Sequence, residues 1–217
     1  MTAITSIEPR EILIHPHDIK GVLGVPEKAR GLVIFAHGSG SGRLSPRNSH
    51  VAKGLRDAGF ATLLLDLLTP LEETDRHNVF DIGLLASRLL TATHWAKGDP
   101  RTFDLPVGYF GASTGAGAAL LAAAAAAPIK IGAVVSRGGR PDLAGAAALG
   151  RVRSPTQLIV GSLDTDVIQL NEQAMRHLHC PHELVMVPGA GHLFEEPGTL
   201  DAVIQHAERW FRAHLTT

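Results

Sequence analysis

A serine between two glycines lies where an apolar, β-prone segment meets a segment made almost entirely of alanine and leucine. The sequence Gly111-Ala112-Ser113-Thr114-Gly115 follows residues 105–110 and precedes residues 116–127, which favour a helix. Glycine is needed two positions before and after a serine on so tight a turn, because a Cβ there would collide with the neighbouring strand or turn. The pattern predicts that Ser113 is a nucleophile at a strand-to-helix turn. The competing interpretation is a simple turn of small residues.

A carboxylate and an imidazole follow Ser113 in the chain order Ser, Asp, His. Asp164 and His192 each lie in a loop after a short apolar segment, 51 residues beyond Ser113 and 28 residues beyond Asp164 respectively. These intervals fit whole strand–helix units. We therefore predict a catalytic triad in which His192 takes the proton of Ser113 and Asp164 fixes the histidine tautomer. Asp166 is the alternative acid, but its position just before an apolar helical pattern suits a helix N-terminus.

The elements that must position these residues alternate between strand and helix. An antiparallel pair at residues 11–15 and 19–25 opens the chain, and six continuous apolar segments follow at 32–36, 61–65, 107–110, 131–135, 157–160 and 184–187. Such segments are typical of parallel strands that are covered on both faces. The helical patterns between them predict an α/β fold with a doubly wound, mostly parallel sheet and helices on both faces.

The spacing of the elements leaves no room for a lid domain over the predicted site. Only 29 residues separate position 135 from Asp164, and they must hold a helix and a strand. We therefore expect an open cleft that is walled by loops, the longest of them at residues 69–77, and a preference for short or compact substrates.

From about Gly31 to the C-terminus, the chain resembles the dienelactone-hydrolase-like branch of the α/β-hydrolase superfamily. The resemblance rests on four motifs, at residues 37–42, 111–115, 161–167 and 191–192. The resemblance implies serine esterase chemistry, and the length and composition agree with one α/β-hydrolase domain over residues 1–217. Dienelactone hydrolases proper carry a cysteine nucleophile, whereas this sequence has Ser113 there and its single cysteine, Cys180, elsewhere. Lactone specificity therefore does not transfer with the fold.

Acyl transfer needs two backbone N–H donors for the oxyanion. One is expected from Thr114, the residue after the nucleophile, and the other from the glycine-rich loop at residues 37–40, in which the resemblance indicates the N–H of Ser39. A phosphate-binding dinucleotide loop is the alternative interpretation of these glycines. It fits less well because Arg43 replaces the third glycine, although Asp66 at the end of the next strand keeps it open.

Two arginines lie in the predicted loop at residues 136–142. Arg137 and Arg140 flank a pair of glycines after a sheet strand, so they belong to the same edge as the triad. They could bind a substrate carboxylate or phosphate through bidentate contacts. Alternatively, either one anchors the loop, for example to Asp142.

The composition and charge give no sign of binding to nucleic acid or to an anionic membrane. The 217 residues are 45% hydrophobic and carry a net charge of −1, whereas such partners are usually bound by a strongly basic surface. The first ten residues lack the basic and apolar regions of a signal peptide. A single cysteine cannot form an intramolecular disulfide. We expect a cytoplasmic protein with a small-molecule substrate, no cofactor, no metal, and an oligomeric state that the sequence leaves open.

Together these observations predict a serine hydrolase that cleaves small or compact ester, thioester or lactone substrates through an acyl-enzyme. Two alternatives stay open at this point. An acyltransferase would use the same triad but exclude water, and a non-catalytic interaction module would use the same fold without chemistry.

Overall fold

Eight strands form the sheet around which the chain is built. The computed structural model describes residues 8–215; residues 1–7, in which the sequence predicts no targeting signal, and residues 216–217 lie outside the described part. The strands are β1 (Arg10–Ile14), β2 (Ile19–Gly24), β3 (Leu32–Ala36), β4 (Ala61–Leu65), β5 (Val107–Ala112), β6 (Ile131–Arg137), β7 (Thr156–Gly161) and β8 (His182–Val187). Their spatial order is β1-β2-β4-β3-β5-β6-β7-β8.

The six strands from β3 to β8 are parallel, and β1 and β2 form the predicted antiparallel pair at one edge. In the register, Ala36 pairs with Gly111, Ala112 with Arg137, and Gly161 with Val187. The carboxyl ends of the parallel strands therefore meet at one edge of the sheet. The loops that carry the predicted site residues all begin there.

Helices cover both faces of the sheet, as the alternation of patterns predicts. They are α1 (Pro46–Asp57), α2 (Arg76–Phe80), α3 (Ile82–Gly98), α4 (Thr114–Ala125), α5 (Ala146–Leu149), α6 (Thr165–Met175) and α7 (Thr199–His214). Apolar residues of α1 and α7 pack on one face, and those of α3, α4 and α6 pack on the other. The doubly wound α/β architecture is confirmed.

The alanine-rich helix α4 is the central helix behind the site. Its Ala118, Ala119 and Ala122 are fully buried, and its neighbours are α3 and the strands β3, β5 and β6. Small side chains allow these elements to approach one another closely, which explains the alanine tract without a separate function.

Two broader properties follow from the described residues. No helix between residues 8 and 215 combines the length and the apolar character needed to cross a membrane. In the same part of the chain, no group of three or more His, Cys, Asp or Glu side chains is arranged to hold a metal ion.

Candidate active site

Ser113 lies on a strained turn between β5 and α4. Its φ of 50° and ψ of −124° are unusual for a residue with a side chain. A Cβ on Gly111 would lie 2.5 Å from the Cα of Ala116, and one on Gly115 would lie 2.1 Å from the carbonyl oxygen of Ala36. Both glycines are therefore required by backbone contacts. The predicted strand–turn–helix is confirmed, and the serine lies at the N-terminus of a 12-residue helix.

His192 and Asp164 form a hydrogen-bonded pair at the same edge. The Nδ1 atom of His192 lies 2.7 Å from the Oδ2 atom of Asp164. The carboxylate side chain is 15% exposed and the imidazole 38% exposed. With Nδ1–H donating to the carboxylate, Nε2 is the basic nitrogen of the ring. Asp164 occupies the N-cap position of α6, yet its side chain makes no capping bond, so its carboxylate is committed to the histidine. Asp166 is exposed in the first turn of α6.

Ser113 and His192 adjoin the same turn after β6. The N–H of Ser113 donates to the carbonyl oxygen of Arg137 over 3.3 Å. A Cβ on Gly138, the next residue, would lie 2.9 Å from the carbonyl oxygen of His192 and 3.7 Å from its Nδ1. In this structure the imidazole has its carboxylate partner, while Ser113 Oγ forms no hydrogen bond within residues 8–215. Ser113 and the His192–Asp164 pair therefore both lie against the turn at Arg137 and Gly138.

The glycine-rich loop after β3 crosses the turn that holds Ser113. Gly38 packs so closely that a Cβ there would lie 2.9 Å from the Cβ of Ser113. The N–H of Ser39 donates to the Oγ1 of Thr114 over 3.0 Å. The two residues predicted to supply oxyanion donors are therefore neighbours in space.

His37 holds the glycine-rich loop in place through two hydrogen bonds, a role that was not predicted from the sequence. Its Nδ1–H donates to the carbonyl oxygen of Gly38 over 2.9 Å, and its Nε2 accepts the N–H of Leu67 over 3.0 Å. Burial lowers the pKa of His37, which keeps the ring neutral with one donor and one acceptor. The signal that could have identified it is a histidine placed directly after a fully apolar strand.

Asp66 also holds the glycine-rich loop. Its carboxylate accepts the backbone N–H of Arg43 and one guanidinium nitrogen of Arg43, each over 2.7 Å. Both oxygens are engaged within the protein. This pairing explains the aspartate at the end of β4 and removes the support that it gave to the dinucleotide interpretation.

The two predicted substrate-binding arginines have different surroundings. The Arg140 guanidinium pairs with both carboxylate oxygens of Asp142, at 2.9 and 2.8 Å, which is the contact expected of a loop anchor. The placement of Arg137 in a loop is wrong, because β6 extends two residues beyond the predicted end and Arg137 is its last residue. Continued pairing of β6 with β5 and β7 explains the extension.

Two cavities share the loop segment 39–41. One, of about 310 Å³, has an apolar wall of Leu68, Val79 and Leu85, with Glu73 at the side. The other is an open groove of about 380 Å³ that extends along residues 39–47 and includes Arg43 and Arg47. An apolar cavity and a basic groove therefore both border Ser39.

The sheet topology, and the position of the predicted site residues at the carboxyl ends of its parallel strands, define the chain as an α/β-hydrolase. Within that class, a solved dienelactone hydrolase from Anabaena variabilis is 54% identical, with a TM-score of 0.91. That match covers 96% of this chain and 100% of the other. The chain therefore belongs to the dienelactone hydrolase family, as the resemblance of its motifs indicates.

More distant similarity supports the lid-less fold. A protein from Xanthomonas campestris, described as an α/β serine hydrolase without a lid, has a TM-score of 0.75 at 19% identity. The match covers 98% of this chain and 97% of that one. At this identity the comparison speaks for the fold alone.

Curated relatives from two strains of Mycobacterium tuberculosis are 58% identical over 208 residues and carry the name "Putative phosphoribosyl transferase". The match covers 96% of this chain but only 46% of each relative, so the chain spans about half their length. No protein-family model matches the chain.

Proposed function

We propose that the chain is a serine hydrolase that cleaves small or compact carboxylic esters, thioesters or lactones through an acyl-enzyme. The observation that carries this proposal is the 2.7 Å contact between His192 and Asp164 beside the strained Ser113. An imidazole oriented by a carboxylate, next to a serine on a turn of this kind, is the arrangement that generates a serine nucleophile.

Acylation begins when Ser113 Oγ attacks the carbonyl carbon and its proton passes to Nε2 of His192. Asp164 retains the Nδ1–H hydrogen bond and stabilises the imidazolium that forms. The C–O or C–S bond of the substrate then breaks. The leaving alcohol or thiol takes the proton from His192, and the acyl group stays on Ser113.

The negative charge on the former carbonyl oxygen is received by the backbone N–H groups of Thr114 and Ser39. The Ser39 N–H already points at Thr114, where its present acceptor is a neutral hydroxyl. A charged oxygen is a stronger acceptor than a hydroxyl. We propose that the developing oxyanion displaces the Thr114 hydroxyl from this donor or shares it.

Deacylation repeats the same steps with water. His192, neutral again after the alcohol has left, removes a proton from a water molecule that attacks the acyl carbon. The C–O bond to Ser113 breaks, Ser113 recovers its proton from His192, and the carboxylic acid is released. An acyltransferase would differ only in the nucleophile used at this step.

The substrates are proposed to be compact because the apolar cavity beside Ser39 has a volume of about 310 Å³. Long acyl chains would extend from it into solvent, since the fold has no lid to cover them. A series of p-nitrophenyl esters tests this directly. The kcat/KM should be highest for acetate to butyrate and should fall for octanoate and palmitate. A preference for palmitate would contradict the open-cleft interpretation.

The same ester series tests the reaction itself when Ser113→Ala is compared with Ser41→Ala. Ser41 belongs to the neighbouring loop and controls for the loss of a hydroxyl near the cavity. Ser113→Ala should reduce kcat by a factor of order 10⁶ if the site is efficient, whereas Ser41→Ala should retain most activity. Equal activity of the two variants would refute the proposal.

Phosphoribosyl transfer, the activity in the name of the M. tuberculosis relatives, has less support. Those proteins are about twice as long as this chain. An Asp–His pair near a serine favours attack of that serine on an acyl carbon. Displacement at a sugar carbon, by contrast, needs no serine nucleophile.

A further inference from the structure

Arg137 is a buried cation that pairs with no acidic side chain of residues 8–215. The residue is 8% exposed, and its Nε and Nη1 atoms have no hydrogen-bond partner in the part of the chain between residues 8 and 215. Burial, together with the smaller effect of the positive charge of Arg47, lowers the pKa of its guanidinium to about 10. A buried charge with unpaired donors is costly, so its retention calls for a compensating group.

The other arginines near the site have acidic partners. Arg140 pairs with Asp142, Arg43 pairs with Asp66, and Arg47 donates to Glu195 over 2.9 Å. The charged group that acts on Arg137 is a second cation, Arg47. Electrostatics at this point therefore favours an incoming anion rather than an internal ion pair.

The direction of the Arg137 side chain places it near the basic groove. Ala133 and Val135, at two-residue spacing before it on β6, pack with α1 and α7, and strand alternation projects Arg137 to the same face. Arg47 lies in the first turn of α1, lines the groove that begins at Ser39, and has a buried Nε without a partner.

We infer that Arg137 and Arg47 form a subsite for a compact oxyanion, a carboxylate or phosphate group, beside the catalytic residues. Guanidinium groups bind such anions through paired hydrogen bonds. Arg137 would supply the two donors that now lack acceptors, and Arg47 would close the site from the groove. The inference deepens the proposed function, on which it rests for the position of the reacting ester.

A binding experiment tests the subsite without requiring any turnover. Thermal unfolding is followed in sodium phosphate, in sodium acetate, and in sodium chloride of equal ionic strength. The variants are Arg137→Met, Arg47→Gln and Arg212→Gln; the last removes one positive charge from α7, where it pairs with Glu208, and serves as the control. Phosphate or acetate at tenfold excess over Kd should raise the Tm of the wild type and of Arg212→Gln by about 3–6 °C relative to chloride.

Arg137→Met should abolish this shift and should itself unfold at a Tm at least about 2–4 °C above the wild type, because it removes an unpaired buried charge. If Arg137 instead stabilised the fold, Arg137→Met would unfold at a lower Tm than the wild type. Arg47→Gln should weaken phosphate binding at least about tenfold, and its partly exposed position keeps this test available if the Met variant does not fold. A wild-type Tm that responds equally to chloride, or a phosphate shift that persists in both variants, would overturn the inference.

A kinetic experiment determines whether the subsite binds a carboxylate of the substrate itself or a free anion. The kcat/KM ratio of p-nitrophenyl hydrogen succinate to p-nitrophenyl acetate is measured in each variant. If the subsite binds the substrate's own carboxylate, this ratio falls by about tenfold to a hundredfold in Arg137→Met. If it binds free phosphate, the ratio is unchanged and phosphate alters the rates of both esters. Failure to hydrolyse either ester would contradict the proposed function, while the phosphate-dependent Tm shift would still support the anion subsite.

Discussion

The backbone N–H of Ser39 donates to the side-chain hydroxyl of Thr114 across 75 positions of sequence, over 3.0 Å. This contact joins the loop after β3 to the first residue of α4. It also places the two residues predicted to supply oxyanion donors in one hydrogen-bonded unit. Thr114 therefore has two separable roles, since its hydroxyl positions the loop and its backbone N–H is the donor proposed for the oxyanion.

Thr114→Val separates these roles because it removes the hydroxyl and keeps the side-chain shape. Loss of the acceptor removes this hydrogen bond, so urea unfolding should show a loss of about 0.5–1.5 kcal/mol. Because both backbone donors remain, kcat should fall by less than the factor of about 10²–10³ that accompanies a lost donor. Thr114→Ser, which retains the hydroxyl, is the control. A thousandfold loss of kcat in the valine variant would assign the hydroxyl itself to catalysis.

The two aspartates near the start of α6 should differ sharply. Asp164→Asn should reduce kcat by about 10⁴, because an amide favours the wrong tautomer of His192. Asp166→Asn, two residues away and exposed, should reduce it at most about tenfold through local electrostatics. Steady-state kinetics on a short ester measures both. The reverse order of effects would mean that the 2.7 Å contact is not the catalytic one.

Most residues of the candidate site could be predicted from the sequence, because each has recognisable residues next to it in the chain. The glycines around Ser113 and the apolar strands before Asp164 and His192 are visible in the chain, and each strand end delivers its loop to a known edge of the sheet. The Ser39–Thr114 and His37–Leu67 contacts were not predictable in the same way, since each joins distant segments whose relative positions depend on the packed sheet.

Arg137 shows where the pattern fails in detail. The apolar segment ends at Val135, so a polar serine and an arginine suggest a loop, but pairing with both neighbouring strands carries β6 two residues further. Burial of a cation at the end of a strand contradicts the ordinary preference of arginine for solvent. Only the tertiary structure reveals that its Nε and Nη1 atoms have no partner among the described residues.

Gly115→Ala tests the close approach of the elbow to the glycine-rich loop. The added Cβ would lie 2.1 Å from the carbonyl oxygen of Ala36 and 2.5 Å from that of His37. Because both obstacles are backbone atoms, the free energy of unfolding should drop by at least about 2 kcal/mol. Gly98→Ala, at the end of α3 with nothing within 4 Å of its new Cβ, is the matched control and should change stability by less than about 1 kcal/mol. Equal stability of the two variants would contradict the geometry.

His37 should make the protein less stable in mild acid. Burial lowers the pKa of His37 in the folded protein below its ordinary value of 6.5, so the unfolded chain binds the proton first as the pH falls. Its contribution to stability is therefore complete above pH 6.5 and declines below it, by up to about 1.4 kcal/mol per pH unit. The free energy of unfolding, measured against pH, should have a smaller slope in His37→Asn. An identical slope would show that His37 is not held neutral by the fold.

Covalent labelling tests whether Ser113 is the nucleophile. A fluorophosphonate reacts with an activated serine and stays attached, so intact-mass spectrometry reports the adduct and peptide mapping locates it. One adduct per chain is predicted on the wild type, located on Ser113, with labelling much slower in Asp164→Asn and absent in Ser113→Ala. Labelling that persists in Ser113→Ala, or an adduct mapped to another serine, would show that Ser113 is not the nucleophile.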